Sequence, residues 1–207
     1  MAVLERAHTV SSSATIAAPG NVAGDLIVIL VGAAWSTPTI AGFTKITPES
    51  DYSSFYFLTL FYKISTGSEP ANYTISAGAV EAAVAVSLYN VETSSPLDSA
   101  VFGVSTGSPV DTMTSRTTTV DGDMLLFGAF SFGSPAAAAG MTLIGNGGPG
   151  GTYSIESSLF KETISPAGAT GSRTSAGSVL VVGVAIRASA VAPVSAPSIY
   201  PGLLLPV

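Results

Sequence analysis

The sequence of this chain contains an internal duplication. "VAGDLIVILVGA", starting at Val22, returns as "VDGDMLLFGAFS", starting at Val120, 98 residues later. "AGFTKI" at Ala41 returns as "AGMTLI" at Ala139, at the same separation. "LFYK" at Leu60 pairs with "SLFK" at Ser158, which sets Lys63 against Lys161, and "AVAVSLYNV" (83–91) pairs with "VVGVAIRAS" (181–189). Between the last two blocks, "EPANYTISAG" faces "ISPAGATGSRTSAG" once small gaps are allowed. Four ordered blocks at one offset define two related halves, 1–90 and 91–188, and leave 189–207 without a counterpart. A repeat of this length is large enough for an immunoglobulin-sized module. The halves are therefore either two such modules or one body built from both.

The periodicity inside each half is that of strands. In "AVAVSLYNV", Val84, Val86 and Leu88 fall on one face and Ala83, Ala85 and Ser87 on the other, the two-residue period of a pleated strand. Turn clusters such as "APGNVAGD", "STGSEPAN" and "GNGGPGG" separate the apolar blocks, and no stretch carries sustained helical spacing with a cap. Strands are expected at 3–10, 13–17, 25–33, 40–46, 54–64, 72–77 and 80–90, and again at 98–105, 113–119, 123–132, 141–145, 153–163, 170–175 and 178–187. Many short strands with regular turns predict an all-β chain, a jelly-roll-like antiparallel β-sandwich with an internal two-fold sequence repeat. The short link "NVETSSPLDS" has no flexible spacer, so we expect a single sandwich domain over 1–188 in which the halves interleave.

Composition narrows the function. Seven Lys and Arg against thirteen Asp and Glu give a net charge of −6, and the cations are scattered singly, which argues against nucleic acid and against a polybasic membrane patch. The absence of cysteine removes disulfides, thiolate nucleophiles and Cys-bound zinc. The longest apolar run, "LIVILVGAAW" (26–35), is about half of the ~20 residues a spanning helix needs. "MAVLERAHTV" lacks a signal-peptide core, so we expect a protein assembled in a cytoplasm-like compartment.

No motif nominates a reaction. The only histidine, His8, sits in an expected strand, where a surface or packing role outweighs membership of a Ser-His-Asp triad. The acids lie mostly in turns and name no pair for carboxylate catalysis. The repeated "V-x-G-D" places Asp25 and Asp123 at equivalent positions, with Asp121 nearby. A calcium site needs six to eight oxygens, and a Gly-Asp turn explains both copies with less. We therefore expect no enzyme activity, cofactor or metal. "GNGGPGG" (145–151) lacks the lysine of a phosphate loop and reads as a mobile surface loop. "DYSSFYFLTLFYK" puts Phe55, Phe57 and Phe61 on one face and Tyr56 and Tyr62 on the other. Its plain reading is a core strand whose tyrosines cover the outer face. Its functional reading is a glycan platform, with Trp35 and Tyr52 as candidate contacts.

The ordered pattern "GDLIVILVGA…AGFTKI…FYKISTGSEPANYTIS…AVAVSLYNV…SPLDSA" resembles a class of bacteriophage and prophage structural proteins. It covers about 22–100 clearly and 120–188 as a weaker copy; where the family often has tryptophan after Ala-Gly, this chain has Phe43 and Met141. The resemblance implies a virion protein assembled in the bacterial host cytoplasm: a capsid decoration or cement protein, or alternatively a tail-fibre or receptor-binding module. It supplies no catalytic residues. Its implied partners are the major capsid protein or other virion proteins and further copies of the chain, a trimer in the first instance. The unrepeated "SAVAPVSAPSIYPGLLLPV" (189–207) is uncharged and carries Pro193, Pro197, Pro201 and Pro206, which favour an extended backbone. We expect it to be a partner-binding arm, with Ile199, Tyr200, Leu203, Leu204, Leu205 and Val207 as the contacts. The competing reading is that it packs back on its own sandwich.

Overall fold

The computed structural model describes residues 1–104, 110–150 and 155–190, and every regular element in it is a strand. The first half supplies β1 (Leu4–Ser11), β2 (Thr15–Ala17), β3 (Leu26–Ala34), β4 (Thr39–Ile40), β5 (Thr44–Lys45), β6 (Ser50–Tyr52), β7 (Tyr56–Ile64), β8 (Asn72–Ser76) and β9 (Ala79–Tyr89). The second supplies β10 (Leu97–Val104), β11 (Val110–Met113), β12 (Asp123–Ser131), β13 (Thr142–Gly150), β14 (Ile155–Ile164), β15 (Arg173–Ala176) and β16 (Leu180–Ile186). The expected strand at 113–119 lies earlier, at β11, and the expected 40–46 is broken into β4 and β5.

The halves do not interleave. Among the described residues, each hydrogen-bonded ladder stays within one half, and all ladders are antiparallel. The first half makes a large sheet in the order β1-β9-β3-β7-β5, with β6 also on β7, and a small sheet β2-β8-β4. The second makes a large sheet β10-β16-β12-β14-β13 and a small pair β11-β15. The large sheets have matching strand order, and part of the register repeats as well. Leu26 faces Leu88 and Leu30 faces Val84 in one sheet; Met124 faces Ile186 and Gly128 faces Val182 in the other.

The large sheets pack face to face, and each is covered on its far side by its own small sheet. Alternation along β3 shows this directly. Leu26, Val28 and Leu30 point into a cluster shared with Met124, Leu126 and Val184 of the second half. Ile27, Ile29 and Val31 point the other way, onto Ile16, Tyr73 and Ile75 of the first small sheet. Leu125, Phe127 and Ala129 of β12 likewise turn towards Met113 of β11. A strand buried on both faces needs apolar residues at every position, which is why all nine residues of β3 and of β12 are buried. It also corrects the expected outer face of β7. Phe61 packs beneath the small sheet, whereas Tyr56 and Tyr62 pack against the core between the halves.

Two further readings change. "GNGGPGG" forms most of β13 through Gly150 rather than a mobile loop; Gly151 lies outside the described residues. A side chain at Gly147 would put its Cβ 2.8 Å from the Ala83 backbone nitrogen, so glycine here permits close approach of two backbones. The second change is in β14. Ile27 faces Lys63 in the first half, but Leu125 faces Glu162 and Leu126 faces Lys161 in the second. The pairing is displaced by one residue relative to the sequence repeat, and a one-residue slip moves each side chain to the other face of the sheet. Lys161 therefore points towards the first half, where it pairs with Glu5 of β1.

Candidate functional site

The repeated Gly-Asp turns fold alike and then diverge. Gly24 and Gly122 have φ of 89° and 87°, the left-handed conformation that favours glycine. Asp25 accepts the Val22 amide (3.0 Å), the Ser87 hydroxyl (3.0 Å) and the Arg6 guanidinium (2.6 Å). Burial alone would raise its carboxyl, but these donors hold it below the ordinary value. Asp123 has no such cation. Its side chain is buried, and Oδ1 accepts the Ala188 amide at 2.7 Å. Burial, with the neighbouring Asp98 carboxylate, pushes Asp123 up to about 6. Asp98 is itself opposed by burial but is brought down to about 2 by hydrogen bonds from Thr119, Asp123 and Arg187. Asp121 turns elsewhere, accepting the Ala167 amide at 2.6 Å. Among the described residues no three His, Asp or Glu side chains gather as a metal site, and the Gly-Asp carboxylates hold the backbone together.

Residues of the quoted sequence pattern form a second internal network. Lys63 of β7 reaches Glu69 (2.7 Å), Tyr73 of β8 donates to the same carboxylate oxygen (3.0 Å), and the Thr66 amide reaches the other (3.1 Å). Phe43 lies edge-on to Tyr73, with ring centroids 4.9 Å apart, and beneath the Lys63 ammonium. Burial raises the Tyr73 phenol, and the Glu69 carboxylate raises it further. In the second half the one-residue slip puts Glu162 where Lys63 would be, and Arg173 of β15 answers it at 2.8 Å. The link from large sheet to small sheet survives with its charges reversed. His8 is held by Glu5 at 2.7 Å, in the same cluster as Lys161.

Two exposed aromatic rings lie at one end of the molecule. Trp35 directly follows β3 and is 59% exposed; Phe132 directly follows β12 and is 52% exposed. Trp35 sits over Phe55 (4.4 Å), Phe55 is edge-on to Tyr56 (4.6 Å), and Tyr56 is edge-on to Phe132 (5.5 Å). Tyr52 lies near-parallel to Tyr56 at 6.4 Å. One continuous aromatic surface thus crosses from the first half to the second. Beside it opens a groove of about 400 Å³, with Tyr52, Phe132 and Val179 as apolar walls and Ser131 and Ser134 as polar ones. Ser134 donates to Glu156 (2.6 Å), which also accepts from Asn146 (2.7 Å). Trp35, Ser53 and Ser54 have φ of 73°, 56° and 53°. Such values are costly for residues with a Cβ and persist only where the surroundings impose them.

The structure brings the two candidate glycan contacts to the same end, with different roles. Tyr52 lines the groove, whereas Trp35 stands beyond it, joined through Phe55 and Tyr56. Phe132 was missed by sequence reasoning. The repeat offset sets it against Ala34, beside Trp35, and extending the strand-end comparison by one residue would have marked it. The arm contacts Ile199, Tyr200, Leu203, Leu204, Leu205 and Val207 lie outside the described residues. In comparisons with known proteins, the chain matches no family model, no curated protein and no solved structure.

Proposed function

We propose that this chain is a non-enzymatic structural protein of a phage particle, a decoration or cement protein that stabilises the head through subunit contacts. We read each half as a jelly-roll-like unit, the two joined back to back through their large sheets. The observation that carries the proposal is the work done by the pattern behind the family resemblance. Asp25, Phe43, Lys63, Glu69 and Tyr73 bind turns and sheets to one another. That these residues serve internal ties supports a role exerted through surface contacts. The partners are the major capsid protein or other virion proteins, with further copies of the chain. The 189–207 strip is the part of the sequence suited to an extended, apolar, uncharged contact.

Deleting 189–207 tests the proposal. The shortened protein is expected to keep its thermal transition and fail to enter particles when supplied in place of the full chain. Normal incorporation would remove the arm from the function. A second reading, a receptor-binding module on the tail, draws support from the exposed Trp35 and Phe132 rings. Localisation by immunogold labelling of purified particles separates head from tail.

A further inference from the structure

The aromatic groove and the root of the C-terminal strip lie at opposite ends of the second large sheet. β16 runs from Leu180, opposite Phe130 near the groove, to Ile186, opposite Met124. Ser189 is then held by Asn90, whose carbonyl accepts its amide at 2.8 Å, and its own carbonyl faces the N-terminus of the chain. The nine residues of β12 separate the two ends, roughly 30 Å of strand. Residues 191–207 number seventeen, enough to span about 50 Å in an extended proline-rich form.

We propose that the groove at the aromatic end receives the C-terminal strip of a second copy of this chain, in a head-to-tail contact. The proposal rests on the subunit-contact reading above and gives that contact a donor and an acceptor. Proline-rich segments dock on aromatic-lined grooves because flat rings pack on pyrrolidine faces and the extended ligand is already ordered. The acceptor has this composition: Tyr52 and Phe132 as ring walls, Val179 as an aliphatic wall, and Ser134, whose hydroxyl donates to Glu156 and can still accept a peptide N–H, as a polar group. The donor has the matching one, with Pro193, Pro197 and Pro201 at regular spacing, then Tyr200 and Leu203–Leu205, and no charged side chain. No Lys or Arg lines the groove, so an anionic ligand has no counter-charge there. In its own groove the strip would have to double back along the flank, using about ten of its residues before first contact. A head-to-tail neighbour brings a fresh groove to the root of the strip. Such a contact is heterologous, so copies form either a closed ring or an open file.

The test uses the full chain. Sedimentation velocity across 1–200 µM is expected to show concentration-dependent association. A synthetic peptide of residues 191–207 is expected to compete with that association and to shift the emission of Trp35, the sole tryptophan. Phe132→Ala, at an exposed ring whose loss leaves the core intact, is expected to weaken association and peptide binding at least about ten-fold. Leu143→Ala, on a different exposed apolar side chain, is expected to change neither. A full chain that stays monomeric throughout, or a Phe132→Ala chain that associates like the parent, overturns the proposal. Peptide silence combined with saturable binding of a neutral oligosaccharide such as chitotetraose also overturns it, and assigns the groove to a glycan. Failure of particle incorporation without 189–207 is a separate readout and bears only on the wider function.

Discussion

Replacing Asp123 by asparagine is expected to stabilise the protein above neutrality. As a carboxylate, Asp123 keeps Oδ1 on the Ala188 amide and leaves Oδ2 buried with no donor. As the neutral acid, it donates from Oδ2 to the Asp98 carboxylate, the interaction that raises it, after burial, to about 6. An unfolded aspartate titrates near 3.9. Below that value the folded and unfolded chains both hold the proton and the stabilising contribution is complete. As pH rises through about 6, the folded chain gives up the proton and the contribution is lost. Asp98 works in the opposite sense; its carboxyl at about 2 contributes stability above the unfolded value and loses it in stronger acid. The shift on Asp123 spans about two units at ~1.36 kcal/mol each, an upper limit near 3 kcal/mol. Asparagine reproduces the neutral acid: its carbonyl accepts from Ala188 and its amide donates to Asp98. Urea unfolding should therefore find Asp123→Asn more stable than the parent by about 1–3 kcal/mol at pH 8, with the difference vanishing near pH 4. A variant less stable at pH 8, or a difference that does not move with pH, would refute the shared-proton account.

Other substitutions probe the packing. At Gly32 a Cβ would overlap Ser157 Oγ and approach the Phe130 ring at 2.7 Å; Gly32→Ala should cost about 1–3 kcal/mol of urea stability by overpacking the seam between the halves. Lys63→Met leaves Glu69 without its cation, although the carboxylate is only 3% exposed. It should cost about 1–3 kcal/mol at pH 7 and less at pH 4, because burial raises Glu69 and Lys63 helps hold it down, so without Lys63 the carboxylate takes up a proton more readily in acid. Residues 1–92 expressed alone would expose Leu26, Val28, Leu30, Val84, Val86 and Leu88 on one sheet face. Gel filtration should find that fragment self-associated or aggregated, and a soluble monomer would mean that the seam is dispensable.

Much of this fold was legible because side-chain alternation reports burial residue by residue. Val84, Val86 and Leu88 do face one core, while Ala83 and Ala85 face another. What alternation cannot report is which sheet does the covering. The unbroken apolar runs of β3 and β12 fit interleaved halves as well as stacked ones. Register was hidden for a related reason. The match of "LFYK" with "SLFK" counts residues along the chain, but pairing across a sheet also depends on the connection before β14, and the one-residue slip there leaves no sequence mark. Gly145 to Gly150 misled because glycine serves turns and close backbone contacts equally. At the aromatic end, Trp35 and Tyr52 stood out as rings beside turn residues. Phe132 escaped because its repeat partner is Ala34.

The layering decides where a partner can bind. The central strands of both large sheets are covered on both faces, which leaves the sheet edges, the small sheets and the ends for contact. Where the first small sheet faces outward it carries Thr15, Thr39, Asn72, Thr74 and Ser76, all exposed. These hydroxyl and amide groups keep the surface wetted with few charges, and they present no apolar patch for a stable interface. At one end, around the root of the strip, carboxylates and cations are already paired: Arg187 grips Asp98, Arg6 grips Asp25, and Lys161 ties Glu5 across the seam. The other end has no comparable closure. Two half-exposed rings, three residues held at positive φ and an open groove coincide there. The root end is tied by ion pairs, whereas the far end presents exposed aromatic rings beside an open groove. The groove and the root of the C-terminal strip thus lie at opposite ends, and a body with two unlike ends is suited to joining copies in series.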